Sequence, residues 1–146
     1  MKKIITLLIF GLSATAFAGQ PLVSIEEMNS SNNAMPPFTA KSIAPKDAPL
    51  IELSSPKLPA LVNSPTPIEL KFQSTPPSTV KPETFKVLYG SFEIDITKRI
   101  LSVAKVTESG VSVQEANLPK GKHKLLMVVE DTAGRRGNRS IDFEIK

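Results

Sequence analysis

Cysteine and tryptophan are absent from this chain, and histidine and tyrosine occur once each, as His123 and Tyr89. Without cysteine there is no disulfide framework, no thiol nucleophile, no thiolate metal site and no lipid attachment at a cysteine. Stability has to come from a hydrophobic core, which about 100 residues can supply without staples. A Ser-His-Asp arrangement would have to use His123, and no Gly-x-Ser-x-Gly elbow accompanies it. An open catalytic zinc site needs about three protein ligands, so a histidine-rich one is excluded by count. Tyr89 alternates with Phe85 and Val87, which directs it inward, and only Phe92 lacks a plausible inward place in the domain. Flat exposed rings for stacking on sugars are therefore scarce.

Long apolar runs are equally scarce. One stretch, Ile4 to Leu12, follows Lys2 and Lys3 and precedes Ala16-Phe17-Ala18, a small-x-small signal before Gly19. This is the pattern of a secretory signal peptide over residues 1–18. The run is about half of the ~20 residues a spanning helix needs, and no second run follows. The expectation is an exported chain, periplasmic or secreted, with no transmembrane segment after processing. The formal net charge is +4, and removing Lys2 and Lys3 leaves +2. That is too small a surplus to point to nucleic acid.

Proline divides what remains. Eleven of the thirteen prolines fall between Pro36 and Pro82. Residues 19–48 read as a disordered arm rich in Pro, Asn and Ser: Asn29-Ser30-Ser31-Asn32-Asn33 is a polar tract, and Pro36-Pro37 and Pro45 bias the backbone towards extension. Ser24 and Glu27 fit a capping box, with Val23 and Met28 placed as its hydrophobic staple. A helix that short is marginal on its own in water, so Leu22, Val23, Ile25 and Met28 belong either to a transient turn in the tail or to one or two turns docked on a partner or on the domain itself, the first being the favoured reading. Read as a tether, the arm is expected on deletion to lower partner binding while leaving the domain's stability nearly unchanged.

Over residues 49–146 the period becomes two. Ile68, Leu70 and Phe72 alternate with Glu69, Lys71 and Gln73, and Phe85, Val87 and Tyr89 repeat the pattern. Phe92, Ile94 and Ile96, the β-rich run Ile100 to Val106, Val111 with Val113, and Ile141, Phe143 and Ile145 supply further strands. His123, Leu125, Met127 and Val129 form one face of a longer strand, with Leu126 and Val128 suggesting cover on its other face. Turn signals such as Ser64-Pro65-Thr66-Pro67, Pro119-Lys120-Gly121 and Ala133-Gly134 separate the runs. Seven to eight short strands imply an all-β antiparallel sandwich.

The stretch Leu118-Pro119-Lys120-Gly121-Lys122-His123, continued through Glu130-Asp131-Thr132-Ala133-Gly134, resembles the last hairpin of bacterial immunoglobulin-like domains. Leu88-Tyr89-Gly90 through Asp95-Ile96-Thr97 resembles the same modules. The resemblance implies an immunoglobulin-like sandwich with a disordered N-terminal arm, and it transfers architecture without activity. It also implies that the corner position usually held by tyrosine is here His123, which can make a similar bond through one ring nitrogen.

The remaining polar residues divide between turns and surface. Asp95 and Asp131 are placed to organise turns through their own side chains, with Gly134 completing the second. The carboxylate pairs Glu93/Asp95 and Asp142/Glu144 share strand faces and read as solvated surface. No catalytic residue, metal ligand set or cofactor is assigned. Arg135, Arg136 and Arg139 cluster before the last strand, at the end of the sandwich where the Ser74 to Pro82 loop is also expected. They are either a recognition tip for a protein or an anionic cell-envelope partner, or a solubilising hairpin. The resulting expectation is a non-catalytic exported binding or assembly module of the cell envelope. The alternative is an accessory subunit of a periplasmic cell-wall enzyme.

Overall fold

The alternation of apolar and polar residues is what the strands follow in the computed structural model, which describes residues 19–35 and 44–146. In order, the elements are α1 (Ile25–Asn33), β1 (Leu50–Ser55), β2 (Thr66–Gln73), β3 (Val80–Tyr89), β4 (Ile94–Asp95), α2 (Thr97–Leu101), β5 (Ala104–Thr107), β6 (Gly110–Ala116), β7 (Gly121–Asp131) and β8 (Arg136–Ile145). Every pairing between these strands is antiparallel, giving sheets ordered β1-β2-β6-β5 and β4-β3-β7-β8, and an isolated parallel bridge ties Val62 to Ile145. This is the order of an immunoglobulin-type sandwich, with β4 added beside β3. The signal-peptide reading of residues 1–18 and the Pro36-Pro37 pair lie outside the described residues.

The core is where the two inner faces meet. Ile68, Leu70 and Phe72 of β2 are buried while Pro67, Glu69, Lys71 and Gln73 are exposed. Phe72 meets Phe85 of the opposite sheet with ring centroids 5.7 Å apart, a tilted contact between the layers. β7 runs through the middle of its sheet, between β3 and β8. Its inner residues Leu125, Met127 and Val129 are buried, whereas Leu126 and Val128 are only half-buried. The cover expected on both faces of this strand is therefore incomplete, because no further layer lies over that sheet among the described residues.

Two other expectations need correction. The strand expected over Phe92 to Ile96 is reduced to the two residues of β4, and Phe92 is exposed. The run from Ile100 begins in a helix, α2, and only Ala104–Thr107 is strand. The physical cause is local: Asp95 Oδ1 accepts from the Thr97 backbone N–H at 2.9 Å and turns the chain. Ile96 and Ile100 then fall one helical turn apart, and both are buried.

The largest departure is in the expected arm. Between Leu22 and Asn33 the chain is folded onto the sandwich. Ser24 and Glu27 complete a capping box, with the Glu27 N–H donating to Ser24 Oγ and the Ser24 N–H to Glu27 Oε2. Leu22, Val23 and Met28 are all buried, Val23 completely. Gly121 leaves room for Met28, since a β-carbon there would sit 2.8 Å from Met28 Sδ. Gly90, at φ +71°, takes a conformation that favours glycine, and a β-carbon on it would collide with Ser31 Oγ. Packing thus supplies what so short a helix cannot supply for itself.

Removing that packing should be costly. Met28→Ala is expected to lower unfolding free energy by about 2–5 kcal/mol in a denaturant titration. Unchanged stability would mean that α1 is not packed on the sandwich in solution.

Candidate functional site

The sandwich has two ends with different chemistry. At one end, the hairpin between β7 and β8 is built around Asp131, whose side chain is completely buried. Its Oδ1 accepts from the backbone N–H groups of Ala133 and Arg135, and its Oδ2 accepts from Arg135 Nε at 2.8 Å. Burial pushes the Asp131 carboxyl up, but the bonds from the Arg135 backbone and guanidinium outweigh it and hold the group below the ordinary aspartate value. Gly134 closes the turn at φ +75°. The Ser74–Pro82 loop does lie at this end: the Thr132 N–H donates to the Thr79 carbonyl and the Thr79 N–H to Thr132 Oγ1.

The three arginines do not converge there. Arg135 is held in the turn by Asp131. Arg136 pairs with Glu130 at 2.7 Å, and that hydrogen bond holds the Glu130 carboxyl below its ordinary value. Arg139, at the opposite strand parity, reaches across the open side of the sandwich, and its guanidinium donates to the Ile51 carbonyl at 3.5 Å. Two of the three charges are thus locally matched, and the third bridges the layers. Asp95 sits on the other sheet edge, and its carboxyl is lowered chiefly by the hydrogen bonds from Thr97.

At the other end lie Tyr89 and His123, both buried. His123 Nε2 is 2.7 Å from the Pro119 carbonyl, which can only accept, so Nε2 carries the proton. Burial lowers the imidazole's pKa, so the neutral form prevails and Nδ1 accepts from the Tyr89 hydroxyl at 2.9 Å. The bond from His123 to a carbonyl four residues upstream has the geometry of a corner tyrosine. Phe143 stacks on the imidazole at 5.5 Å. Burial, with a smaller contribution from the charge of Glu27, pushes the Tyr89 hydroxyl up to about 12. Neither side chain has a free polar atom to offer a substrate.

The helix α1 packs against residues flanking this pair. Ser91 donates twice to Ser31, from its backbone N–H to Ser31 Oγ and from its hydroxyl to the Ser31 carbonyl, and Asn32 donates to the Lys122 carbonyl. Arg99 grips Glu27 with both terminal nitrogens at 2.7 and 2.8 Å and also donates to the Leu22 carbonyl. The Glu27 carboxyl is lowered to about 2, first by the Arg99 hydrogen bond and then by the Ser24 backbone. Asn117 ties down the start of the segment, its carbonyl accepting from the Leu22 N–H and its Nδ2 donating to the Gly19 carbonyl. Between the C-terminal turn of α1, the Leu58–Leu61 loop and the outer ends of β7 and β8 lies an open groove. Ser31, Asn32 and Ser91 edge it, Leu61 stands on one wall, and Lys122 and Glu144 on another.

Sequence reasoning reached this end only in part: His123 and Tyr89 are legible as inward residues, but the contacts of α1 with the sandwich are not. Glu27 was visible as a capping residue, but nothing local marks Arg99 as its partner 72 residues on. Among the described residues no group of three His, Cys, Asp or Glu could hold a metal ion, and no helix is long and apolar enough to cross a membrane.

No family model matches the chain, and no curated protein matches it. Among solved structures it is similar to CopC from Methylosinus trichosporium OB3b, with a TM-score of 0.47 and 15% sequence identity over 67% of this chain and 93% of that chain.

Two outcomes follow for these side chains. The folded pKa of His123 lies below its ordinary value of 6.5, so the unfolded chain binds the proton more readily. The stability this group contributes is complete above about pH 6.5 and is lost as the pH falls through and below that value. Unfolding titrations from pH 8 to 5 should show this slope in the wild type and not in His123→Gln; equal slopes would show that the imidazole is not buried neutral. In the hairpin, Asp131→Ala should lower the melting temperature clearly, while Arg136→Ala, which breaks an exposed pair, should barely move it. The reverse order would mean that Asp131 does not organise the turn.

Proposed function

We propose that this chain is a non-catalytic, exported binding or assembly module of the bacterial cell envelope. Its immunoglobulin-like sandwich presents one end to a protein or anionic envelope partner. Export is supported by the pattern of residues 1–18. In this reading His123 is the corner of β7, and Asp95, Asp131 and Gly134 shape turns. The binding end is the one capped by α1, and the observation that carries this is the open groove between α1, the Leu58–Leu61 loop and β7–β8. The groove offers hydroxyls, amides, apolar side chains and charges together, the mixture that recognition surfaces use. The arginine hairpin is the weaker candidate because its own acids occupy Arg135 and Arg136.

The test is site-specific photocrosslinking in envelope extract, with the photoreactive residue at Leu61 in one protein and at Arg136 in another. A discrete adduct from Leu61, lost on Lys122→Glu, is the expected result. An adduct from Arg136 alone would move recognition to the hairpin. Diffuse labelling from both positions of a folded bait would leave only a structural spacer.

A further inference from the structure

The sulfur chemistry of this chain belongs to methionine alone, since cysteine is absent. Tryptophan is absent too, and the single tyrosine and histidine are buried and hydrogen-bonded to each other. Of the four methionines, Met1 lies outside the described residues. The other three occupy different settings. Met35 follows α1 and is 82% exposed, Met28 lies in α1 and is 7% exposed, and Met127 sits within β7 at 2%.

Met28 carries an unusual share of the docking. Only Met28 and Ser31 are buried within α1, so Met28 is the one apolar anchor of the helix itself. Its sulfur lies directly against the β7 backbone, where a β-carbon on Gly121 would sit 2.8 Å from Sδ. The rest of α1 offers little support of its own. Asn29-Ser30-Ser31-Asn32-Asn33 are residues of modest helix propensity, and nine residues do not hold a helix in water. α1 can therefore open in a local step, whereas exposing Met127 requires the sheet to come apart.

From this geometry we propose that Met28 is an oxidation-sensitive latch, whose conversion to the sulfoxide releases α1 from the sandwich and dismantles the groove beside it. A peroxide reaches Met28 when α1 opens. An S–O bond forms at Sδ as the peroxide O–O bond breaks; the sulfur is oxidised by two electrons, and hydrogen peroxide is reduced to water. The product fits the open state better than the docked one. An oxygen on the Gly121 side of the sulfur collides with β7, and one placed elsewhere is a polar atom that docking would bury. In the open state the same oxygen is hydrated. Oxidation thus favours release by as much as the two states differ in tolerating it. Because Ser31, Asn32 and Ala34 line the groove, release removes one of its walls. The inference deepens the binding-module reading by giving the groove a regulator, and it rests on that reading for its consequence.

The test treats the purified protein with hydrogen peroxide and follows each methionine by peptide mass spectrometry, with amide exchange read over residues 20–34. Met35 should be oxidised first, Met28 next, and Met127 last. As Met28 gains its oxygen, exchange in this segment should speed up about tenfold while β7 stays protected. Met28→Leu, a volume-conserving change, should keep its protection through the same treatment, and Met35→Leu should behave as the wild type. Methionine sulfoxide reductases should restore both Met28 and the protection. Unchanged protection at full Met28 oxidation would overturn the latch, as would an equal loss in Met28→Leu. Met28 left intact after Met35 is fully oxidised would also overturn it, because α1 would then not open to the oxidant. The Leu61 photocrosslink, repeated on oxidised protein, should weaken severalfold; an undiminished adduct would overturn the link to the groove. If the untreated protein gives no Leu61 adduct, the binding reading falls, while exchange still decides the latch.

Discussion

A buried phenol and a buried imidazole satisfy one another at one end of this sandwich, and much of the surrounding structure keeps them dry. Tyr89 donates to His123, and His123 donates to Pro119, so no polar atom of the pair is left over. Hydrogen bonds of this kind stabilise only while water is excluded, because an unpaired buried polar group is costly. Residues on both sides of the pair meet α1: Gly90 and Ser91 beside Tyr89 face Ser31, and Gly121 and Lys122 before His123 face Met28 and Asn32. The cap is in turn locked by the Arg99–Glu27 fork and by Asn117 at its start. The N-terminal segment therefore belongs to the fold.

The two ends also differ in how their charges are used. At the hairpin, charge is consumed internally: Asp131 organises the turn and neutralises Arg135, and Glu130 does the same for Arg136. Such a tip is rigid, but it has little charge to offer a partner. At the capped end the polar groups of α1 are spent on fastening it, and apolar side chains such as Leu61 and Phe92 face outward beside exposed lysines and carboxylates. One end spends its charges internally, and the other carries the open groove between α1, the Leu58–Leu61 loop and β7–β8.

Much of this fold is legible in the residues. Alternation places β2, β3, β7 and β8 because each buries one face, and a period of two allows only one inward register. What escapes is whatever depends on distant packing. Ile96 and Ile100 fit a strand-rich run until the turn at Asp95 shows that they are spaced as helix. Leu22, Val23 and Met28 look too few to order a polar arm, and they are too few in isolation; their burial comes from docking on the sandwich, where Gly121 leaves space for Met28 and Gly90 for Ser31, tens of residues away. The arginine cluster is visible as a charge run. That Glu130 and Asp131 neutralise two of its members depends on the hairpin bringing them face to face, which composition does not reveal.

The most direct measurement of this account is amide hydrogen exchange on the protein, read in the segment from Gln20 to Ala34. The amides of Leu22, Met28 and Ala34 donate to Asn117, Ser24 and Ser30, so they should exchange far more slowly than an unstructured chain, with protection approaching that of the β7 core. Exchange at the unstructured rate throughout this segment, beside a protected β7, would mean that the cap is not part of the folded domain, and the account of the capped end would fail with it.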